Sequence, residues 1–106
     1  MKVRSDHSLE EELKQILGNP HSSNNLEKAV QIAEQIITIN KTSNYANYAM
    51  GLHELALANR TAPLVDYERP IKAFKKIIKM DPNFVEPYLM LAKIYRETDR
   101  NLEYQL

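Results

Sequence analysis

The residues of this chain that could do chemistry are few and scattered. The histidines are His7, His21 and His53, and their spacing does not match that of a metal site. Glu54 follows His53, but Leu57 stands where a helical zinc-protease pattern needs a second histidine. No serine lies in a nucleophile-elbow context, and no glycine-rich loop could bind a phosphate. The sequence therefore predicts a protein that is not an enzyme, with no metal and no cofactor.

A cluster of lysines offers a different chemistry, contact with phosphate groups. Lys72, Lys75, Lys76 and Lys79 lie on one side of a predicted helix and could touch RNA or an anionic membrane. Glu68 is placed to pair with Lys72 at i,i+4, and lysines on the outer face of an amphipathic helix are usually only solvated. Nucleic-acid or membrane contact is therefore the alternative and not the expected function.

Length and composition restrict the remaining classes. The chain has 106 residues, enough for one domain, and its 14 basic residues balance 14 acidic ones, so no overall field draws it to nucleic acid or lipid. It has no cysteine, which fits a reducing compartment, and a cytoplasmic location is expected. The N-terminus lacks the apolar core of a signal peptide, and no apolar run is long enough to span a membrane.

Apolar spacing predicts helices throughout and no strand of useful length. A tail at residues 1–8 is expected to precede one helical domain at 9–106. Pro70 must lie in the first turn of its helix to be tolerated there. The predicted helices cover residues 8–17, 25–39, 44–59, 67–80 and 86–98, with a stub at 100–106.

One stretch, from Asp81 to Tyr95, carries a recognisable spacing. An aromatic residue, two further residues, Leu-Ala, two more residues and a tyrosine follow one another, and a phenylalanine stands eight residues before Pro82. This spacing resembles the tetratricopeptide repeat, whose unit is a pair of antiparallel helices. The residues that take its packing positions are Gly51, Phe74, Ile77, Pro82, Tyr88, Leu91, Ala92 and Tyr95.

The resemblance implies an all-α fold in which antiparallel helix pairs stack as a right-handed α-solenoid of about two and a half repeats. Ala33 and Phe74 occupy matching positions 41 residues apart, against the family's period of about 34. The excess falls in the 59–66 connection, where an insertion does least harm. Gly51 and Ala92 share the small-residue position, so both are expected to be tight helix–helix contacts.

The resemblance also implies a non-catalytic protein–protein interaction module, an adaptor or scaffold that binds a helix or extended peptide in an apolar concave groove. The first helix of each pair would line that groove. The expected groove residues are Tyr45, Tyr48, Leu52, Leu55, Leu89, Met90, Lys93 and Arg96. Alternatively, the four residues of the third helix are ordinary core, or the chain is a structural segment of a larger helical array.

The same register bears on one class of partner that the family is known to bind. The family's clamp for the C-terminal carboxylate of chaperones would fall on Lys14, Gly18, Ala49, Glu86 and Met90. Only Lys14 has the required type and Glu86 would repel a carboxylate, so binding of chaperone tails is not expected.

The C-terminal end is expected to expose apolar surface and to need a cover. The side of the fifth helix with Leu91, Ile94 and Tyr95 is predicted to be poorly covered, and Leu102, Tyr104 and Leu106 would add apolar surface. A homodimer through this end, further repeats or a partner protein would each supply the cover.

Overall fold

Successive helices of this chain pack against one another in chain order. The computed structural model describes residues 6–18, 23–62 and 65–105. Each helix contacts the next, and α1 also contacts α3. The described ranges contain helices and turns but no strand, which confirms the predicted all-α fold. The helices are α1 (Asp6–Leu17), α2 (Ser23–Ile39), α3 (Asn44–Asn59), α4 (Glu68–Met80) and α5 (Glu86–Gln105).

The helix bounds follow local signals. α3 begins and ends where the sequence predicts. Ser43 sets its start, because the Ser43 hydroxyl accepts a hydrogen bond from the Ala46 backbone N–H. α5 is longer than predicted and continues to Gln105, since neither glycine nor proline interrupts it after Pro87. The side chains of Leu102, Tyr104 and Leu106 lie outside the part of the chain that the structure describes.

Two turns are tied by hydrogen bonds to helices that lie far away in the sequence. The Ser43 hydroxyl, between α2 and α3, donates to the Glu10 carboxylate on α1. The Asn44 side chain, at the start of α3, donates to the Asp81 carboxylate in the turn before α5, at 2.7 Å. These bonds connect α1 with the start of α3, and the start of α3 with the end of α4, where Asp81 is the C-cap residue. They therefore help to fix the first turn of α3 relative to both helices.

The core consists of two clusters that meet at α3. The first is formed by α1, α2 and one side of α3, and the second by the other side of α3 with α4 and α5. Because α3 is apolar on two sides, both of its neighbours can bury surface against it. The buried members are Leu9, Leu13, Ala29, Ile32, Ala33, Ile36, Ala46 and Ala49 in the first cluster, and Phe74, Ile77, Phe84, Leu91 and Ile94 in the second.

The closest approach in the second cluster is between Gly51 and Phe74. A Cβ atom placed on Gly51 would lie 2.7 Å from Phe74 Cε1, nearer than real Cβ contacts allow. The Phe74 ring thus occupies the space that a side chain at position 51 would need, so only glycine fits there.

Pro70 is buried in the first turn of α4, where a proline is tolerated.

The fifth helix differs from the expectation in two respects. Leu91 and Ile94 are buried in the second cluster and are not uncovered. Ala92 is exposed, so the tight helix contact expected there is not formed within the described residues. The reason is rotational: α4 covers the side of α5 that carries Leu91 and Ile94, and Ala92 points away from it.

Gly51→Leu should destabilise the fold because the new side chain meets the Phe74 ring. Overpacking of this kind costs about 1–3 kcal/mol. The exposed Ala92→Leu is the matched control and should change the free energy of unfolding by no more than about 0.5 kcal/mol. Thermal and urea unfolding in dilute solution measure both. Equal stability of the two variants would contradict the Gly51–Phe74 contact.

Candidate partner-binding cleft

A cleft opens between α1 and the start of α5, above α3. Its volume is about 300 Å³, and it is lined by Lys14, Leu17, Gly18, Tyr45, Tyr48 and Glu86. Lys14 and Leu17 belong to the C-terminal end of α1 and Gly18 follows it directly, the tyrosines belong to α3 and the glutamate to the first turn of α5. Three helices that are distant in sequence thus contribute to one concave site.

The floor of the cleft is aromatic and rests on the second core cluster. Tyr45 meets Phe84 edge-on, with ring centroids 5.0 Å apart. Tyr48 contacts both Phe84 and Phe74, at centroid distances of 5.9 and 5.8 Å. Edge-to-face and tilted pairs at these distances are favourable beyond the area they bury. Both tyrosines are therefore held in place by phenylalanines before any partner arrives.

Tyr48 has a perturbed hydroxyl group. Burial raises its pKa above the ordinary value of 10.0, and the nearby Glu86 carboxylate raises it further. Both effects disfavour the phenolate, so the hydroxyl keeps its proton and remains a hydrogen-bond donor in the cleft.

The two walls carry opposite charges. Lys14 Nζ lies 4.9 Å from the centroid of the Tyr45 ring, a cation–π geometry, and 3.3 Å from Glu11 Oε1. Glu86 lies in the first turn of α5, where the helix dipole favours a negative charge. A partner would meet an ammonium on the α1 side, a carboxylate on the α5 side and aromatic rings between them.

The predicted groove residues fall into three places. Tyr45 and Tyr48 line the cleft. Leu52 and Leu55 are half-buried and pack against the second core cluster, in keeping with the core alternative stated for the third helix, and Met90 of α5 packs there too. The remaining three residues are exposed on α5, namely Leu89, Lys93 and Arg96.

The repeat-packing residues also divide. Gly51, Phe74, Ile77 and Leu91 are buried. The other residues of this set are exposed, namely Pro82, Tyr88, Ala92 and Tyr95. The buried residues lie on sides of helices that another helix covers, whereas most of the exposed ones lie on the outer side of α5.

The residues at the carboxylate-clamp positions come together only in part. Lys14, Gly18 and Glu86 line the cleft, whereas Ala49 is fully buried and cannot reach a ligand. Sequence reasoning missed Phe84, which supports both tyrosines. Its signal was an apolar aromatic directly after the Asp81–Asn83 turn, outside the predicted helix.

Other candidate sites carry less chemistry. Within the described residues no group of three metal-ligating side chains comes together, and no helix is both long and apolar enough to cross a membrane. Lys72 pairs with Glu68 at 3.1 Å, and both side chains are largely exposed. A recess of about 310 Å³ beside His53 and Arg60 is not lined by any tyrosine, phenylalanine or tryptophan.

Comparison with known proteins supports the repeat. Residues 73–103 match a tetratricopeptide-repeat family model. The resemblance is confirmed over this segment. It covers most of α4 and most of α5, the same stretch that carries the diagnostic spacing. No curated protein and no solved structure matches the chain significantly. Tetratricopeptide repeats in general are protein–protein interaction modules, and typically they are not catalytic.

Leu52→Glu should destabilise or unfold the chain, because a carboxylate would be forced against the second core cluster. Leu89→Glu is the matched control, since Leu89 is 64% exposed. Circular dichroism with urea unfolding compares the two. If Leu52→Glu is as stable as the control, Leu52 is not part of the core and belongs to the groove.

Tyr48 should lose its proton at a pH above the ordinary tyrosine pKa of 10.0. The difference in tyrosinate absorbance between the wild type and Tyr48→Phe isolates one of six tyrosines. Glu86→Gln should lower this pKa only partly, because burial is the larger cause. Because the Tyr48 pKa is raised in the folded chain, there is a pH range above 10.0 in which Tyr48 keeps its proton when folded and loses it when unfolded. Its stabilising contribution is therefore complete below pH 10.0 and declines as the pH rises through the folded-state pKa. Titration of Tyr48 at the ordinary tyrosine pKa of 10.0 would contradict its burial.

Proposed function

We propose that this chain is a non-catalytic adaptor or scaffold that binds a helix or an extended peptide of another protein in the cleft. The observation that carries the proposal is the aromatic floor of Tyr45 and Tyr48 between the charged walls of Lys14 and Glu86. Aromatic anchors in concave sites contribute strongly to protein interfaces. A cytoplasmic location remains part of this proposal.

The size and charge of the cleft restrict the partner. A volume of about 300 Å³ is at the small end for a binding site, so a helix or peptide that lies over the cleft would insert one or two side chains into it. An apolar side chain would pack on the tyrosine rings, and an adjacent lysine or arginine would face Glu86. A terminal carboxylate is disfavoured beside Glu86, which argues against chaperone tails.

The floor is pre-organised for binding. Tyr45 and Tyr48 already pack against Phe74 and Phe84, so little rotamer freedom remains to be lost when a partner covers them. The Tyr48 hydroxyl is protonated at neutral pH, and it can donate a hydrogen bond to a carbonyl of the incoming segment. Pre-organisation of this kind favours specific binding through a small area.

The alternative function uses the lysines of α4. All four, Lys72, Lys75, Lys76 and Lys79, are exposed on the outer surface and could contact RNA or an anionic membrane. Their positions do not overlap the cleft, so the two functions can be separated by substitution.

Charge reversal in the cleft provides the test. Peptides selected from a displayed random library against the wild-type chain should combine an apolar residue with a neighbouring basic residue. Glu86→Lys should weaken their binding about tenfold or more, because a charged hydrogen bond is worth about 1.5–3 kcal/mol. Fluorescence anisotropy measures the affinity, and circular dichroism confirms that the variant is folded.

Lys76→Glu is the matched control on α4 and should leave peptide binding unchanged. Unaltered affinity of Glu86→Lys for every selected peptide would refute the cleft. Binding to RNA or anionic vesicles that Lys76→Glu weakens and that falls steeply with salt would favour the alternative.

A further inference from the structure

The outer side of α5 carries an apolar surface that no described helix covers. We call this surface, formed by Val85, Tyr88, Leu89, Ala92 and Tyr95, the α5 stripe. Val85 is 57% exposed, Leu89 64%, Tyr88 44% and Tyr95 43%. The opposite side of the same helix is buried through Leu91 and Ile94. α5 is thus apolar on two sides, as α3 is, but only one side is covered within the described ranges.

The helix α3 shows what such a surface can accept. Gly51 on α3 and Ala92 on α5 take the same position of the repeat, 41 residues apart. At Gly51 the small residue admits an aromatic ring, that of Phe74. Ala92 likewise lies between two tyrosines with little side chain of its own, so an opposing helix can approach it closely.

We propose that the α5 stripe is an interface between two copies of this chain, paired through antiparallel α5 helices that cross at Ala92. The pattern of the stripe supports a second copy, because its two tyrosines lie at nearly equal distances on either side of Ala92. Tyr88 lies four residues before Ala92 and Tyr95 three residues after it. In an antiparallel pair Tyr88 of each copy comes beside Tyr95 of the other. Self-complementarity of this kind is what a two-fold interface requires.

Hydrogen bonding fits the same arrangement. The Tyr88 hydroxyl already donates to the Pro82 carbonyl at 3.0 Å, so covering the Tyr88 ring leaves this hydroxyl paired.

The size of the stripe sets the strength of the dimer. A single helix face of a few turns lies below the area of about 1,200–2,000 Å² that stable interfaces bury. The dimer should therefore be weak and depend on protein concentration. Its formation does not depend on a ligand in the cleft, so failure of either proposal leaves the other intact.

The chain has no cysteine, which allows a direct test by crosslinking. In Ala92→Cys the two thiols would meet at the two-fold axis, within reach of a disulfide. Mild oxidation should give a covalent dimer on the order of tenfold faster than for Lys76→Cys on α4, because association raises the effective thiol concentration. Equal rates for the two variants would overturn the proposal.

Sedimentation velocity over a range of concentrations provides the second measurement. The wild type should pass from monomer to dimer, and Ala92→Arg should remain a monomer with unchanged helicity, since Ala92 is exposed in the single chain. A wild type that is monomeric at every concentration would refute the interface. A dimer that persists in Ala92→Arg would place the contact on another surface and refute it equally.

Discussion

The contact between Gly51 and the Phe74 ring is the constraint on which the rest of this structure depends. It fixes how closely α3 and α4 approach, because the ring fills the space of the missing side chain. Phe74 in turn supports Tyr48, and Phe84 supports both Tyr45 and Tyr48. A change of one methylene in so dense a contact is transmitted to its neighbours. The floor of the cleft is therefore a consequence of helix packing and not a separate feature placed on it.

How far the sequence determined this outcome can be judged from individual residues. The start of α3 was predictable because two local signals, a serine cap and a polar turn, stand next to its first residue. The closeness of Gly51 to the neighbouring helix was predictable because two copies of the repeat agree in register. The same reasoning failed at Ala92, since a repeat pattern indicates where a small residue is needed only if a further helix covers it. Within the described residues α4 lies on the other side of α5, and Ala92 is exposed.

The cleft was harder to predict than the helices. Its lining comes from three helices, and no local pattern relates Lys14 to Glu86. The sequence also could not decide which side of α3 faces solvent, because that helix is apolar on more than one side. The structure resolves this in terms of packing: Leu52, Leu55 and the two tyrosines all contact the second core cluster, and Tyr45 and Tyr48 also line the cleft. Tyrosine suits such a position because its ring can be buried while its hydroxyl remains at the edge.

Helix geometry then explains how one element can serve two surfaces. Glu86 and Ala92 are six residues apart on α5, which places them roughly 120° from each other around the helix axis. The carboxylate is thus directed towards α3 and the cleft, while the α5 stripe faces away from it. Two copies joined through their stripes would leave both clefts accessible. A partner with two binding segments could then occupy both, and the second segment would bind at the high effective concentration that tethering provides. Weak binding in a small cleft would in this way be compatible with a stable assembly.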